Sequence, residues 1–290
     1  MDKSIHSLIE DIYSTVSGKE KGWFNEQLSN AFAQSVATRL REQLDGAEYK
    51  PTLRLSRMGP QCPRALWHSI HTPERAEALP PWAIIKYSYG HILEALVLTL
   101  AKAAGHDVRG EQDAVTVDGI KGHRDAVIDG CIVDVKSSSS FSFAKFKDGS
   151  IKQDDMFGYL DQLDGYLMGS MADPLVTEKN KGYLLAIDKQ LGRMCLYEHE
   201  LNAKRIQSRI KEAKATVESP YPPACTCGTV RVGKSGNIGL DVKASYNLFK
   251  HCCFPGLRTF IYSSGPAYLT RVVRKPDVPE VDKHGKLVTS

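Results

Sequence analysis

Asp125-Ala126-Val127-Ile128-Asp129-Gly130-Cys131-Ile132-Val133-Asp134-Val135-Lys136 is the stretch on which the fold turns. Two apolar runs flank Asp129-Gly130, and Asp-Gly is a strong hairpin signal because both central residues of such a turn take positive φ. In a two-residue turn, partners across it have numbers that sum to 259, which sets Asp125 directly opposite Asp134. Directly opposed residues have Cβ atoms about 4.5–5.5 Å apart, and like charges there repel unless something neutralises them. A hard cation is the simplest neutraliser, since Mg²⁺ is held by one or two carboxylates, waters and phosphate oxygens. Alternation along the strand puts Lys136 on the same face as Asp134. Two acids and an ammonium converge on one spot.

Outward from the hairpin, Asp118-Gly119 separates runs at 114–117 and 120–128, so a three-stranded antiparallel meander is expected over 114–117, 120–128 and 131–135. Before it, Leu93, Leu96, Val97, Leu100 and Ala101 mark a helix over 87–104, ended by Gly105. Leu28, Phe32, Val36, Leu40 and Leu44 recur every four residues and predict an amphipathic helix over 24–44. The Pro- and Gly-rich stretch 45–81 holds Cys62, Pro63, Arg64 and Trp67 and reads as an irregular connection with a short helix after Pro63. Downstream, 137–153 reads as a polar loop, and Met156, Leu160, Leu163, Leu167 and Met171 mark a further helix.

Strands are expected over 182–187 and 193–197. A helix then carries Ala203, Ile206, Ile210, Ala213 and Val217 on one face and Lys204, Arg205, Arg209, Lys211 and Lys214 on the other, either a solvated surface or a DNA-backbone contact. From Pro220 the composition changes, with Cys225, Cys227, Cys252 and Cys253. Three segments are therefore expected: a helical extension and connection over 1–80, a core over 81–219, and a cysteine-bearing appendage and tail over 220–290.

The 290 residues suffice for one large α/β domain or a catalytic domain with extensions. A hydrophobic share of 42% with 25% charged residues excludes disordered and fibrous classes. The net charge of +4 fits a nucleic-acid partner only weakly. Residues 1–18 mix Asp2, Lys3, His6, Glu10 and Asp11 among apolar positions, unlike a secretory leader, and no apolar run approaches the ~20 residues of a membrane span. A cytoplasmic location is expected. Seven cysteines argue against a disulfide framework and for thiols or metal ligands.

Paired carboxylates beside a lysine suit phosphodiester hydrolysis, in which a metal activates water and the phosphoryl group while the ammonium orients the nucleophile or stabilises developing charge. Asp125 followed by Asp134-Val135-Lys136 resembles the split signature of the PD-(D/E)xK nucleases, and the helix-then-strands order before it resembles their core. Gly90-His91 ahead of the meander and Gln162-Leu163-Asp164-Gly165-Tyr166 after it resemble motifs of the RecB-like exonuclease branch. The resemblance implies a restriction-endonuclease-like α/β core (αβββαβ, mixed sheet flanked by helices) and Mg²⁺- or Mn²⁺-dependent DNA cleavage, exonucleolytic in mode. It assigns His91, Asp125, Asp134 and the Val135 carbonyl to the metal, Lys136 to the attacking water, and Gln162 with Tyr166 to the strand. Glu94, one turn beyond His91 on the same helix face, is expected to support the ligands or join them. The stretch from Gly256-Leu257-Arg258-Thr259-Phe260 through Val272-Val273-Arg274 resembles the ends of phage-encoded members. That likeness implies phage DNA degradation, recombination or repair in the host cytoplasm, with DNA and a single-strand annealing or binding protein as partners and no membrane.

The same branch includes iron–sulfur nucleases of the AddB and CRISPR-adaptation types, with one cysteine before the core and three after it. Cys62 in Cys62-Pro63-Arg64-Ala65-Leu66-Trp67 resembles the first, and 244–254 resembles the later segment in outline. Ala244 and Asn247, however, stand where two cysteines would fall, leaving Cys253. Cys225 and Cys227 could replace them in a rearranged set with Cys62 and Cys253, although Cys-x-Cys is not the usual spacing. Ala binds no iron and Asn is a hard donor, so the residues favour cysteines left as small buried hydrophobes over an iron–sulfur cluster. Two rival functions stay open: an endonuclease of the same fold, and a non-catalytic nucleic-acid-binding protein with a structural metal site.

Overall fold

A computed structural model of the chain describes residues 3–18, 22–45 and 51–288. The chain divides into two compact units, one of Met1–Tyr49, Arg54–Gly59 and Pro80–Arg209, the other of Lys50–Leu53, Pro60–Leu79 and Ile210–Ser290. These boundaries differ from the three expected segments, because residues 60–79 fold with the C-terminal part of the chain. Within the connection expected over 45–81, residues 46–50 lie outside the described residues.

The first unit opens with α1 (Leu8–Ser17) and α2 (Glu26–Leu44). Asn25 caps α2 by accepting the Leu28 N–H at 3.0 Å, which starts the helix predicted at 24–44. α1 is missing from the sequence expectations, although Leu8, Ile12 and Val16 are spaced four apart. α3 (Pro63–His71) belongs to the second unit, and α4 (Pro81–Ala103) returns to the first. Pro81 sits at the first position of α4, where a missing N–H is tolerated, and Gly105 ends it at φ 83°.

Next come β1 (Val108–Arg109), β2 (Ala114–Val117), β3 (Ile120–His123), β4 (Ala126–Ile128) and β5 (Cys131–Ser138). The turn at Asp129 (φ 50°) and Gly130 (φ 77°) has positive φ at both positions, and Ala126 pairs with Val133, Val127 with Ile132 and Ile128 with Cys131. The run expected as one strand over 120–128 is instead two. Arg124 breaks it: only 1% exposed, its guanidinium reaches Asp173 at 2.6 Å, Asp113 at 3.0 Å and Ser170 at 3.1 Å. A buried guanidinium must keep its partners, so the chain turns to deliver it. β2 and β3 consequently form a separate two-stranded ribbon, and the continuous meander does not exist.

The unit continues with α5 (Ser140–Asp148), α6 (Tyr159–Gly169), β6 (Lys181–Asp188), β7 (Met194–Glu200) and α7 (Ala203–Glu218), the division between units falling within α7. The loop expected over 137–153 is largely α5. Ser139 caps it by accepting the Ser142 N–H, Phe143 and Phe146 bury one face, and Gly149 closes it at φ 80°. The main sheet runs β1-β4-β5-β6-β7, with β5 and β6 parallel across a connection holding α5 and α6. On one face Leu8, Ile12, Val97 and Ala101 pack against Val133, Val135 and Leu185. The alternate positions of β6 face α6, where Gly182 leaves room for Leu163 that a Cβ would take, at 2.9 Å. Arg205 of α7, about half-buried, is engaged by Asp161 at 2.8 Å and Asp164 at 2.7 Å.

The second unit builds a sheet from β8 (Thr229–Val232), β9 (Asn237–Leu240), β10 (Arg258–Tyr262), β11 (Gly265–Arg271) and β12 (Glu280–Val281), in the order β12-β10-β11-β9-β8. Two single-turn helices, α8 (Val242–Ser245) and α9 (Lys250–Cys253), lie between β9 and β10. Leu240, Ala244 and Leu257 form its small core, with Cys227, Phe254 and Tyr268 packed against it. Lys250 is buried and ion-paired with Glu77, which explains why 60–79 folds here.

Candidate functional site

The hairpin brings the two aspartates together. Asp125 stands one residue before β4, in line with Asp134 of β5, and its Oδ2 accepts the Val135 N–H at 2.7 Å. That carboxylate is fixed to the β5 backbone as a strand carbonyl would be. Asp134 is 1% exposed, and Lys136 places Nζ 2.5 Å from its Oδ2. The same ammonium donates to Gln162 Oε1 at 3.2 Å and lies 4.6 Å from the centre of the Tyr159 ring. Gln162 Nε2 donates in turn to the Tyr166 hydroxyl at 2.6 Å. Asp125, Asp134, Lys136, Gln162 and Tyr166 thus form one connected group. Both ends of the Gln162 amide are engaged inside it.

From α4 comes Glu94. Gln112 joins it to Asp125, its Nε2 donating to Glu94 Oε1 at 2.6 Å and to Asp125 Oδ1 at 3.3 Å. Gln112 has φ 60°, an uncommon conformation for a residue with a Cβ, and its N–H donates to the Asp125 carbonyl at 3.2 Å. His91 is directed elsewhere: its Nε2 lies 3.4 Å from Gln43 Oε1 on α2. Burial and Arg39 hold its imidazole below the ordinary histidine range.

Desolvation pushes the Asp125 carboxyl well above the usual range, and Asp134 and Glu94 push it further. Glu94 is raised as well, chiefly by burial. Burial alone would lower Lys136, but Asp134 and Asp125 outweigh it and hold the ammonium above its ordinary value. Burial and Asp134 raise the Tyr166 phenol. Three carboxyls near one ammonium are short of cationic partners, which is why Asp125 and Glu94 are raised, and their hard oxygen donors suit Mg²⁺ or Mn²⁺.

The cysteines form a separate group in the second unit. Cys62, Cys225, Cys227 and Cys253 have sulfurs all within 4.8 Å of one another, whereas the three acids of the first unit are spread more widely. The four that meet are the rearranged set that the sequence offered, and Cys225 and Cys227 are only partly buried. Hydrogen bonds from Cys227 and Cys253 drive Cys62 far below the ordinary thiol value, while Cys253 is driven far above it by its sulfur neighbours. Cys252 and Cys131 stay outside the group.

Sequence reasoning passed over Gln112 and Tyr159. Gln112 sits in a turn with no periodicity, and its role depends on a backbone conformation that composition does not announce. Tyr159 opens α6, where an aromatic residue reads as core. Gly122 is a third such position, because a Cβ there would stand 2.8 Å from the Tyr166 ring.

No family model matches this chain, and no curated protein matches it. Among solved structures it is similar to SSO0001, at 18% identity over 76% of this chain and 95% of that one, with a TM-score of 0.43. It is also similar to an alkaline exonuclease (LHK-Exo) from Laribacter hongkongensis, at 16% identity over 72% of this chain and 84% of that one, TM-score 0.32. A phage related exonuclease from Haemophilus somnus 129PT gives 13% identity over 72% of this chain and 91% of that one, TM-score 0.33. Likeness at this level leaves the chemistry to rest on the residues themselves.

Proposed function

We propose that the chain is a divalent-metal-dependent nuclease that hydrolyses phosphodiester bonds of DNA. One observation supports this above the others: Asp125 and Asp134 stand opposite each other on one hairpin, with Asp134 paired to Lys136 and Asp125 linked through Gln112 to Glu94. Asp125 and Asp134 would hold Mg²⁺ or Mn²⁺, with Glu94 and the Val135 carbonyl beside them, and His91 would join them by giving up its 3.4 Å bond to Gln43. Such an ion, when bound, polarises a phosphoryl oxygen and lowers the pKa of its water.

The chain's own residues divide the remaining work. Lys136 stays protonated at neutral pH, so it serves as a fixed positive charge that orients the attacking water and stabilises charge on phosphoryl oxygens, and not as a base. Gln162 holds that ammonium through Oε1 and is itself anchored by Tyr166. Together they position Lys136, and Tyr166 remains a hydroxyl at working pH. DNA as substrate, exonucleolytic mode, and a phage role in degradation, recombination or repair beside a single-strand annealing protein are proposed from the sequence resemblance.

The deciding assay uses linear duplex DNA labelled at either end, with and without Mg²⁺, alongside a closed circle. Mg²⁺-dependent release from ends that spares the circle is expected. Cutting of the circle would assign an endonuclease, and binding without turnover in Mg²⁺ or Mn²⁺ would leave a nucleic-acid-binding protein.

A further inference from the structure

Cys62 precedes α3, Cys225 and Cys227 precede β8, and Cys253 ends α9. Their sulfurs nevertheless stand 3.7 Å apart for Cys62 and Cys253, 3.8 Å for Cys227 and Cys253, and 3.9 Å for Cys62 and Cys225. A single ion bound tetrahedrally by four thiolates at about 2.3 Å fixes sulfur-to-sulfur edges of about 3.8 Å. The three separations fall on that edge. An iron–sulfur cube does not fit the same four sulfurs, because its irons and sulfides lie between the cysteines and hold them well beyond a one-ion edge. A disulfide would require about 2.05 Å.

A second observation concerns what surrounds the sulfurs. The Cys227 N–H donates to Cys225 Sγ at 3.3 Å, and Asn247 Nδ2 donates to Cys227 Sγ at 3.4 Å and to Cys253 Sγ at 3.8 Å. A neutral thiol is a weak acceptor, whereas a metal thiolate carries charge that such donors stabilise. Asn247, which stands where the resemblance places a cysteine, thus serves the sulfurs as a donor instead of a ligand. Buried Ala244, at the other such position, packs with Leu240 and Leu257.

We propose that the second unit binds one Zn²⁺ in a closed site of Cys62, Cys225, Cys227 and Cys253, in place of the iron–sulfur cluster that the sequence resemblance implies. Four protein ligands leave no open position, so the ion is structural. It ties together segments 163 and 191 residues apart. The proposal does not rest on the nuclease reading, whose residues lie in the other unit.

The test is metal and sulfide analysis of the full chain purified without oxygen from cells supplied with both zinc and iron. One zinc per chain and no acid-labile sulfide is expected. Replacement by Co²⁺ should give the absorption of a tetrahedral four-thiolate site, and alkylation of the native protein should spare the four cysteines while modifying Cys195, which is partly exposed. Cys225→Ser and Cys227→Ser should lose the zinc, and Cys252→Ser should keep it. Iron with stoichiometric sulfide would overturn the proposal, as would metal-free protein whose four thiols react freely or are oxidised. Should the serine variants fail to fold, the cobalt spectrum and alkylation pattern of the unaltered chain still decide.

Discussion

The acid site and the cysteine site solve opposite problems of assembly. Asp125, Asp134 and Lys136 lie within one hairpin, so strand register alone places them, and the two carboxylates repel each other in the placement they receive. The cysteines come from three distant stretches that register cannot relate, and their approach is set by what they could jointly bind. In the first site the backbone holds the acids in place without an ion, and the proposed ion would serve the chemistry. In the second, an ion is needed for the architecture. Metal removal should therefore stop one function without unfolding the chain and loosen the other unit without touching the chemistry.

The largest effect should come from Asp134→Asn, which keeps the shape and removes the charge. Cleavage of linear DNA in Mg²⁺ should fall by a factor on the order of 10³ or more, while the thermal midpoint of metal-free protein shifts little, because relief of the repulsion with Asp125 is offset by loss of the ion pair with Lys136. A parallel loss of folding would make Asp134 a structural residue. Lys136→Ala should lower turnover by about 10²-fold with DNA affinity in Ca²⁺ nearly intact. If affinity falls as far as rate, the ammonium binds phosphate, and the salt dependence of binding should flatten with its removal.

On the cysteine side, a strong zinc chelator or Cys225→Ser should lower the thermal midpoint by roughly 9–14 °C, consistent with losing about 2–3 kcal/mol in a unit of this size. Depleting Mg²⁺ alone should leave that midpoint unchanged. A drop on Mg²⁺ removal would erase the contrast between the two regions. Gln112→Ala and Gln112→Gly should both reduce cleavage about tenfold by freeing Glu94 from Asp125, with the glycine variant about 1 kcal/mol the more stable because φ 60° suits it. Equal stabilities would mean that the turn carries no strain. Smallest of all, His91→Ala should raise the Mg²⁺ concentration needed for half-maximal rate a few-fold, roughly 1 kcal/mol of binding, with maximal turnover preserved. An unchanged requirement would remove His91 from the ligands and leave Glu94 alone on α4.

Local rules reached the hairpin because they needed only two residues of turn chemistry and a period of two. The same rules failed at Arg124, whose need for Asp113, Asp173 and Ser170 split an otherwise convincing strand. They failed again at α5, where a run of serines hid a cap followed by two buried phenylalanines. At the site, Lys136 and the paired acids could be derived, but the Gln112 bridge depended on a left-handed backbone, and the turning of His91 toward Gln43 on packing between helices. The cysteines show the deepest limit. Judged by family spacing, Cys225 and Cys227 looked misplaced, and only the folded chain brings their sulfurs within 4.8 Å of those of Cys62 and Cys253.

The buried face of α1 sets an order of events during synthesis. Leu8 and Ile12 are wholly enclosed, and the residues that enclose them include Val133, Val135, Leu185 and Ile187. At about 5–20 residues per second, the helix leaves the ribosome roughly ten seconds or more before the strand that covers it. The apolar face of α1 is therefore only part-covered by Val97, Leu98 and Ala101 of α4 until β5 and β6, made later, complete the cluster around it.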